Sequence, residues 1–288
     1  MLQPLKLLQP ATIAEASAAL AKFGDAAKIY AGGAELLLLL RNGLLETETL
    51  IDVKKIDRLH QIVVDANAIR VGACVMHHEL AAHAALRQHA RALAYAESQV
   101  ANVRVRNQGT LGGNLAFNDP HSDPGTVLLV HDATVTLGSS RGERKLPLSD
   151  FFVDMYATAL EPDELIIEVE IPFLPAGMNG AYHRLHRYQR PTLGVAAAIA
   201  MNGDRIGEAR LAVGCVGPKA LRLQQLERSL TGLAIESAKK TCFEEKNNLR
   251  ELIRPVDDLL GSADYKLYMT TVLLADALEE AASKTSDS

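Results

Sequence analysis

Two glycine pairs constrain this sequence more than any other feature. One lies in Ala31–Glu35 (AGGAE), between a strand-like and a helix-like segment, and the other in Thr110–Asn114 (TLGGN). Paired glycines permit close backbone approach, and the amides that open a following helix can face an anion. Each loop alone is more typical of a chain turn, and neither has the spacing of a Rossmann fingerprint or a P-loop. Two such loops without a lysine favour a diphosphate bound through main-chain amides.

A polar run, Asn118–Pro124 (NDPHSDP), follows the second glycine pair. Its Asn, Asp and Ser side chains can bond their own backbone in successive turns, and composition favours this interpretation. The alternative assigns the Asp123 carboxylate to a ribose or ribityl hydroxyl of a ligand. The residues alone leave both interpretations open.

Composition argues against several classes of function. The 288-residue chain has a formal net charge of −5 and no tryptophan, whereas a nucleic-acid surface requires clustered positive charge. The leucine run Leu36–Leu40 is far shorter than the roughly 20 residues of a membrane-spanning helix, and the first ten residues lack a signal-peptide pattern. Three widely separated cysteines disfavour an iron–sulfur cluster or structural zinc held by this chain. Their sparse use is typical of the reducing cytoplasm.

Periodicity and turn residues predict an α+β chain in two parts. Thr12 and Glu15 have the spacing of a helix capping box, and Gly24 is expected to end that helix. The Pro- and Gly-rich segment Pro172–Gly180 is interpreted as a linker, which separates a domain at 1–175 from a smaller sheet-plus-helices domain at 176–288. The predicted strands are Lys28–Ala31, Leu50–Val53, Gln61–Val64, Ala68–Val71, Leu165–Ile171, Ala181–Arg187, Val195–Met201 and Arg210–Val216. Thr126–Leu137 is expected to form a strand, or a helix followed by a strand. The predicted helices are Glu35–Arg41, two within His77–Ala101, Lys219–Leu230 and Ser262–Ala282, and turns are expected at Asp65–Asn67 and Asn202–Asp204.

Histidines and arginines supply further candidates. Four histidines in one helical region have poor spacing for a shared face, so we predict a solvated face and not a metal cluster: His77, His78, His83 and His89. Three arginines form either one face of an exposed strand or a cationic rim near an anionic cofactor or partner: Arg184, Arg187 and Arg190. Neither His121 nor His131 has a visible serine or cysteine nucleophile arranged around it, so hydrolase chemistry has no support. The sequence therefore predicts no metal ligand and no catalytic residue.

Four segments, in their order along the chain, resemble the motifs of a known family: AGGAELL, RNQGTLGGNLA, the PHSD that follows it and PDELIIEVEIP. The chain looks like the FAD-binding medium subunit of the molybdenum hydroxylases, the family that contains xanthine dehydrogenase and aerobic carbon monoxide dehydrogenase. The resemblance extends to the C-terminal ADYKLYMTTVLL. It implies an FAD-binding domain of the vanillyl-alcohol oxidase (PCMH) type, with two α/β lobes at roughly 1–54 and 55–175. A C-terminal flavoprotein domain at 176–288 would follow.

The resemblance also implies site residues. The first loop should line one side of the FAD diphosphate: Ala31, Gly32, Gly33, Ala34 and Glu35. The second should line the other side: Thr110, Leu111, Gly112, Gly113 and Asn114. Asp123 matches the acid near the cofactor hydroxyls, and Ile166 and Arg184 match positions beside the flavin ring. Glu35 stands where relatives often have a small polar residue, and Arg184 where lysine is common.

The implied function is electron transfer. In the family, a large subunit carries the molybdenum pterin, a small subunit carries two 2Fe–2S clusters, and the medium subunit passes electrons through FAD to an external acceptor. We therefore expect a cytoplasmic dimer of heterotrimers. A stand-alone FAD-dependent oxidoreductase acting directly on a small alcohol or amine is the alternative, and a scaffold whose glycine loops only turn the chain is a third reading.

Overall fold

The computed structural model describes residues 4–186 and 190–283. Arg187, which the sequence assigns to a strand end and to the cationic rim, lies outside the described residues. Within these two ranges, none of the helices combines the length and the apolar character that a bilayer crossing requires.

The first sheet is small and parallel, with strand order β1-β3-β2: β1 (Lys6–Leu8), β2 (Ala27–Tyr30) and β3 (Thr49–Asp52). Helix α1 (Ile13–Phe23) begins as predicted, because Thr12 Oγ1 accepts a hydrogen bond from the Glu15 amide at 3.2 Å. Gly24 follows its last residue with a φ of +50°. Strand β2 leads through the first glycine pair into α2 (Leu36–Arg41), which confirms the strand–glycine–helix unit.

The second sheet has five antiparallel strands: β4 (Ile62–Val64), β5 (Ala68–Gly72), β6 (Thr134–Ser139), β7 (Gly142–Pro147) and β10 (Leu165–Pro172). Their order in the sheet is β4-β5-β10-β6-β7. The predicted turn at Asp65–Asn67 is confirmed, since it joins the β4-β5 hairpin. A separate two-stranded ribbon consists of β8 (Phe152–Asp154) and β9 (Ala157–Thr158).

Most helices of this part lie in the connection between β5 and β6. The prediction of two helices within His77–Ala101 is wrong, because His83 (ψ 126°) and Ala90 (φ −141°) leave helical geometry and divide the segment into three. The helices are α3 (His77–Ala82), α4 (Ala84–His89), α5 (Arg91–Gln99), α6 (Val103–Arg106), α7 (Leu111–Phe117), α8 (Asp123–Val130) and α9 (Leu148–Phe151).

The third sheet is antiparallel, with strand order β11-β12-β13-β14: β11 (Met178–Leu185), β12 (Leu193–Asn202), β13 (Arg205–Gly214) and β14 (Leu221–Arg222). The predicted turn at Asn202–Asp204 is confirmed, with Gly203 at a φ of +62°. The predicted helix start at Lys219 is wrong, because Leu221–Arg222 pair with β13 and the helix begins at Gln224. The helices are α10 (Gln224–Leu230), α11 (Ile235–Glu244), α12 (Lys246–Ile253) and α13 (Ala263–Ser283).

Strand β12 separates two hydrophobic cores. Ala196 and Ala198 face the core shared with the first two sheets, whereas Val195 and Ala197 face the core under the C-terminal helices. The small side chains let α8 pack closely against β12 and β13. A methyl group on Gly214 would lie 2.0 Å from Thr126 Oγ1. All residues of α8 are buried, which holds its first residue, Asp123, in a rigid position.

Candidate functional site

A cavity of about 630 Å³ lies between the two glycine loops. Most of the residues singled out from the sequence line it: Ala31, Gly32, Gly33, Ala34, Glu35, Thr110, Gly112, Gly113, Asn114, Asp123 and Ile166. Leu111 does not line it, because its side chain is fully buried in the core. The fold thus brings two loops that are far apart in sequence to one concave site, as a ligand pocket requires.

The first glycine loop leaves amide donors open. Gly33 has a φ of +75°, and a Cβ on Gly32 would lie 2.0 Å from the carbonyl oxygen of Gln108. The loop therefore packs directly on the segment that precedes the second glycine pair. Among the described residues, no protein acceptor is hydrogen-bonded to the four successive amides of this loop: Gly32, Gly33, Ala34 and Glu35. Such a row of amides can hold an anionic oxygen without a lysine.

The second glycine loop uses its amides internally, which differs from the expectation that both loops present free amides. The Leu111 and Gly112 amides donate to the carbonyl oxygens of Val75 and Ala73, each at 3.0 Å. The Gly113 amide donates to Thr110 Oγ1 at 3.1 Å, as in a helix cap. The reason is local, since the first turn of α7 docks on the backbone after β5. This loop offers side-chain donors to a ligand in place of amides.

The two glycines of the second loop have different roles. A Cβ on Gly112 would lie 2.5 Å from the Ala73 Cβ, so this glycine permits close packing of α7. Gly113 is exposed on the cavity side, and a Cβ there would closely approach only Thr110 Oγ1. Asn114 Oδ1 accepts a hydrogen bond from Ser122 Oγ at 2.6 Å, which directs the amide nitrogen of Asn114 to other acceptors.

Asp123 is a buried carboxyl on the cavity wall. Tyr182 Oη donates to its Oδ1 at 2.6 Å, and Arg184 Nε lies 3.1 Å from the same oxygen. Burial raises the pKa of Asp123 to about 6, against the opposing influence of the Arg184 charge. The carboxyl is therefore ionised at neutral pH and able to accept a hydrogen bond from a ligand hydroxyl.

Arg184 lies behind Asp123 and not on the cavity wall. Its Nη1 donates to the carbonyl oxygen of Gln99 at 2.7 Å, and its side chain is almost fully buried. Its expected place beside a flavin ring stays a prediction. Of the two rim arginines that the structure describes, Arg184 and Arg190, only Arg190 lines the cavity: its Nη2 lies 3.2 Å from Asp119 Oδ2 and 3.7 Å from Glu35 Oε2. Arg190 thus offsets the negative charge that Glu35 brings to the first loop.

His77 and Glu97 form a buried pair that the sequence did not predict. The prediction of a solvated histidine face is wrong for His77, which is 2% exposed and lies on the cavity wall. Its Nδ1 is 2.6 Å from Oε2 of the fully buried Glu97. The one available signal was an acidic residue within the apolar stretch of RALAYAES. In the described part of the chain, no three histidine, cysteine or acidic side chains are grouped to hold a metal ion.

Comparisons with known proteins agree with this architecture. A family model described as the FAD binding domain in molybdopterin dehydrogenase matches residues 3–174, and one described as the CO dehydrogenase flavoprotein C-terminal domain matches residues 181–281. The chain therefore belongs to the FAD-binding flavoprotein subunits of the molybdenum hydroxylase family, a family of oxidoreductases. This confirms both the resemblance and the two-domain α+β FAD-binding fold inferred from the sequence.

Individual relatives cover nearly the whole chain. The carbon monoxide dehydrogenase medium chain of Hydrogenophaga pseudoflava is 30% identical, over 94% of this chain and 95% of its own length. The 6-hydroxypseudooxynicotine dehydrogenase complex subunit alpha of Paenarthrobacter nicotinovorans is 32% identical, over 91% of this chain and 89% of its own length. Among solved structures, quinoline 2-oxidoreductase from Pseudomonas putida 86 superposes with a TM-score of 0.91 at 28% identity, over 99% of both chains.

Proposed function

We propose that the cavity between the two glycine loops holds FAD, and that the chain passes electrons from the 2Fe–2S clusters of a partner subunit through this FAD to an external acceptor. The observation that carries the proposal is the convergence of both loops on one cavity, with the amides of Gly32–Glu35 open to a ligand. The group fits the residues present. Open amides suit a diphosphate, the Asp123 carboxylate suits a hydroxyl, and buried Ile166 suits an aromatic ring.

Each residue then has a binding role and none a catalytic one. The Gly32–Glu35 amides donate to the diphosphate, while Thr110 and Asn114 add side-chain donors from the opposite loop. Gly113 leaves room for the ligand at the cavity surface. Asp123 accepts from a hydroxyl, with Arg184 as its buried cation. When bound, FAD supplies the electron-transfer chemistry, and the protein supplies orientation and electrostatics.

The proposal includes the assembly. Two relatives that are 30% and 29% identical to this chain are named as medium chains of carbon monoxide dehydrogenases. These names support a small iron–sulfur subunit and a large molybdenum-pterin subunit as partners. We also propose assembly as a dimer of heterotrimers in the cytoplasm, without nucleic-acid partners. Residues 1–175 would form the FAD-binding domain, with lobes at 1–54 and 55–175, and 176–288 the C-terminal domain. Support for this boundary comes from the third sheet, which begins at Met178.

The alternative is a stand-alone FAD-dependent oxidoreductase acting on a small alcohol or amine. One observation favours it, because such an enzyme needs a general base at its pocket and His77 is a titratable group on the cavity wall, oriented by a carboxylate. The similarity to a medium chain covers 94% of this chain and 95% of that relative, which favours electron transfer over this alternative.

Purification of the chain with its neighbouring gene products separates these readings. The expected result is a complex that contains FAD, molybdenum and iron–sulfur clusters, in which the flavin absorption near the cluster bands bleaches when substrate is added. A flavin-loaded single chain that oxidises an alcohol or amine unaided would support the alternative. A folded chain that retains no flavin after incubation with FAD, alone and within the complex, would refute both.

A further inference from the structure

The His77–Glu97 pair is a second buried polar group at the cavity wall, in addition to Asp123. His77 begins α3 and Glu97 lies on α5, so their 2.6 Å contact ties the two helices together. Burial of a titratable pair costs free energy unless every polar atom is satisfied. Here Glu97 Oε1 has no hydrogen-bond partner among the described residues and is shielded from solvent. A tie between two helices alone does not account for a carboxylate that is only half satisfied.

His77 also has an unused nitrogen. With Nδ1 directed to the Glu97 carboxylate, the carboxylate favours a proton on Nδ1 and fixes the orientation of the ring. No protein group among the described residues is hydrogen-bonded to Nε2. Because His77 lines the cavity, Nε2 is the atom through which this pair can reach a ligand.

The place of His77 identifies the part of the ligand within reach. Its backbone amide donates to the Gly109 carbonyl oxygen at 3.1 Å, and a Cβ on Gly109 would lie 3.0 Å from the imidazole Cδ2. A Cβ on Gly32 would lie 3.1 Å from the Cα of the same Gly109. His77 is therefore at the junction of the two glycine loops. Asp123 lines the same cavity as His77.

We propose that His77, oriented by Glu97, contacts the bound FAD through Nε2, which accepts a hydrogen bond from a hydroxyl of its ribityl chain. This inference rests on the proposed function, since it assumes that FAD occupies the cavity. Glu97 acts as a positioning residue, because it holds the imidazole and does not reach the ligand itself. The pair supplies a directed polar contact where the second glycine loop has already used its amides.

Two substitutions of His77 separate ligand contact from structural support. Asparagine places a polar atom near the position of Nδ1, so His77→Asn keeps a partner for Glu97 and withdraws from the cavity. Glutamine is one bond longer and reaches the position of Nε2. Binding of FAD to the flavin-free full chain is titrated by quenching of flavin fluorescence, and the unfolding temperature of each variant is measured alongside.

We expect His77→Asn to bind FAD about 3- to 10-fold more weakly than wild type, the range of one hydrogen bond between uncharged groups. His77→Gln should bind FAD as tightly as wild type. In wild-type protein with ¹⁵N-labelled histidine, the Nε2 resonance of His77 should shift when FAD is added. Equal FAD affinities for the two variants, at whatever level, would overturn the inference, as would an unchanged Nε2 resonance.

The outcomes also separate this inference from the function on which it rests. Wild-type chain that does not bind FAD, alone or with its partner subunits, would overturn both. Wild-type chain that binds FAD while His77→Asn binds it equally well would overturn only the role of His77.

Discussion

Arg184 lies directly behind Asp123, with Nε 3.1 Å from Oδ1 and side chains that are 2% and 4% exposed. Removing a carboxylate from water to this degree is costly unless a cation or hydrogen bonds compensate. Asp123 also has Tyr182 Oη as a donor at 2.6 Å and lies in the first turn of α8, where the helix dipole favours an anion. Arg184 therefore keeps a cavity-wall carboxylate ionised without itself reaching the cavity.

Replacement of Arg184 by an uncharged residue should change the pKa of Asp123. We expect Arg184→Gln to raise the pKa of Asp123 above about 6, because desolvation then acts without the opposing charge. Loss of one member of a buried pair should destabilise the fold by about 3 to 5 kcal/mol, measured by urea unfolding. Arg184→Lys is the matched control, since it keeps the positive charge and should lose less stability than Arg184→Gln. An Asp123 pKa that is the same in both variants, read by ¹³C NMR of labelled aspartate, would contradict the pairing.

The raised pKa of Asp123 predicts a pH dependence of stability. The carboxyl titrates at 3.8 when unfolded and at about 6 when folded, so the folded state binds more protons between these values. Its contribution is fully present below pH 3.8 and is lost as the pH rises through about 6. Relative to Asp123→Asn, the free energy of unfolding of wild type should fall by roughly 3 kcal/mol over that interval. If the free energy of unfolding changed with pH in the same way in the two proteins, Asp123 would not be a buried carboxyl with a raised pKa.

Local features of this fold were predictable, whereas its long-range contacts were not. The capping box at Thr12 and the turn at Gly203 depend on a few adjacent residues, and both appear where the sequence predicts them. The partner of His77 is 20 positions away on another helix, and spacing along one helix cannot reveal it. Likewise, only the folded structure shows that the side chain of Arg184, on β11, supports Asp123 from behind. Both glycine loops were identified, but the docking of α7 that occupies the amides of the second loop required the structure.

Adjacent glycines in the second loop should respond differently to substitution. Gly113→Val should abolish FAD retention with the fold intact, because its side chain would project into the cavity and meet only Thr110 Oγ1 closely. Gly112→Val is the matched contrast. Its side chain would collide with Ala73, so the expected result is loss of stability by about 1 to 3 kcal/mol or more. Flavin content and unfolding temperature are measured for both, and normal flavin content in Gly113→Val would refute the assignment of this loop.

The cavity mouth supplies the last prediction, because Arg190 lies between the carboxylates of Glu35 and Asp119 at 3.7 and 3.2 Å. Glu35 provides the last of the four open amides, so the charge of its side chain should repel a diphosphate, and Arg190 should offset that repulsion. Exposed pairs of this kind have modest effects, so we expect Glu35→Gln to tighten FAD binding about two- to five-fold and Arg190→Gln to weaken it by a similar factor.

The double variant tests whether the two charges compensate each other. Glu35→Gln with Arg190→Gln should return the FAD affinity close to that of wild type, and raising the salt concentration should reduce the differences among all four proteins. Weaker binding by Glu35→Gln alone would mean that this carboxylate contacts the cofactor favourably, as an acceptor for one of its hydroxyls. In that case, Arg190 would serve to orient Glu35 and not to neutralise it.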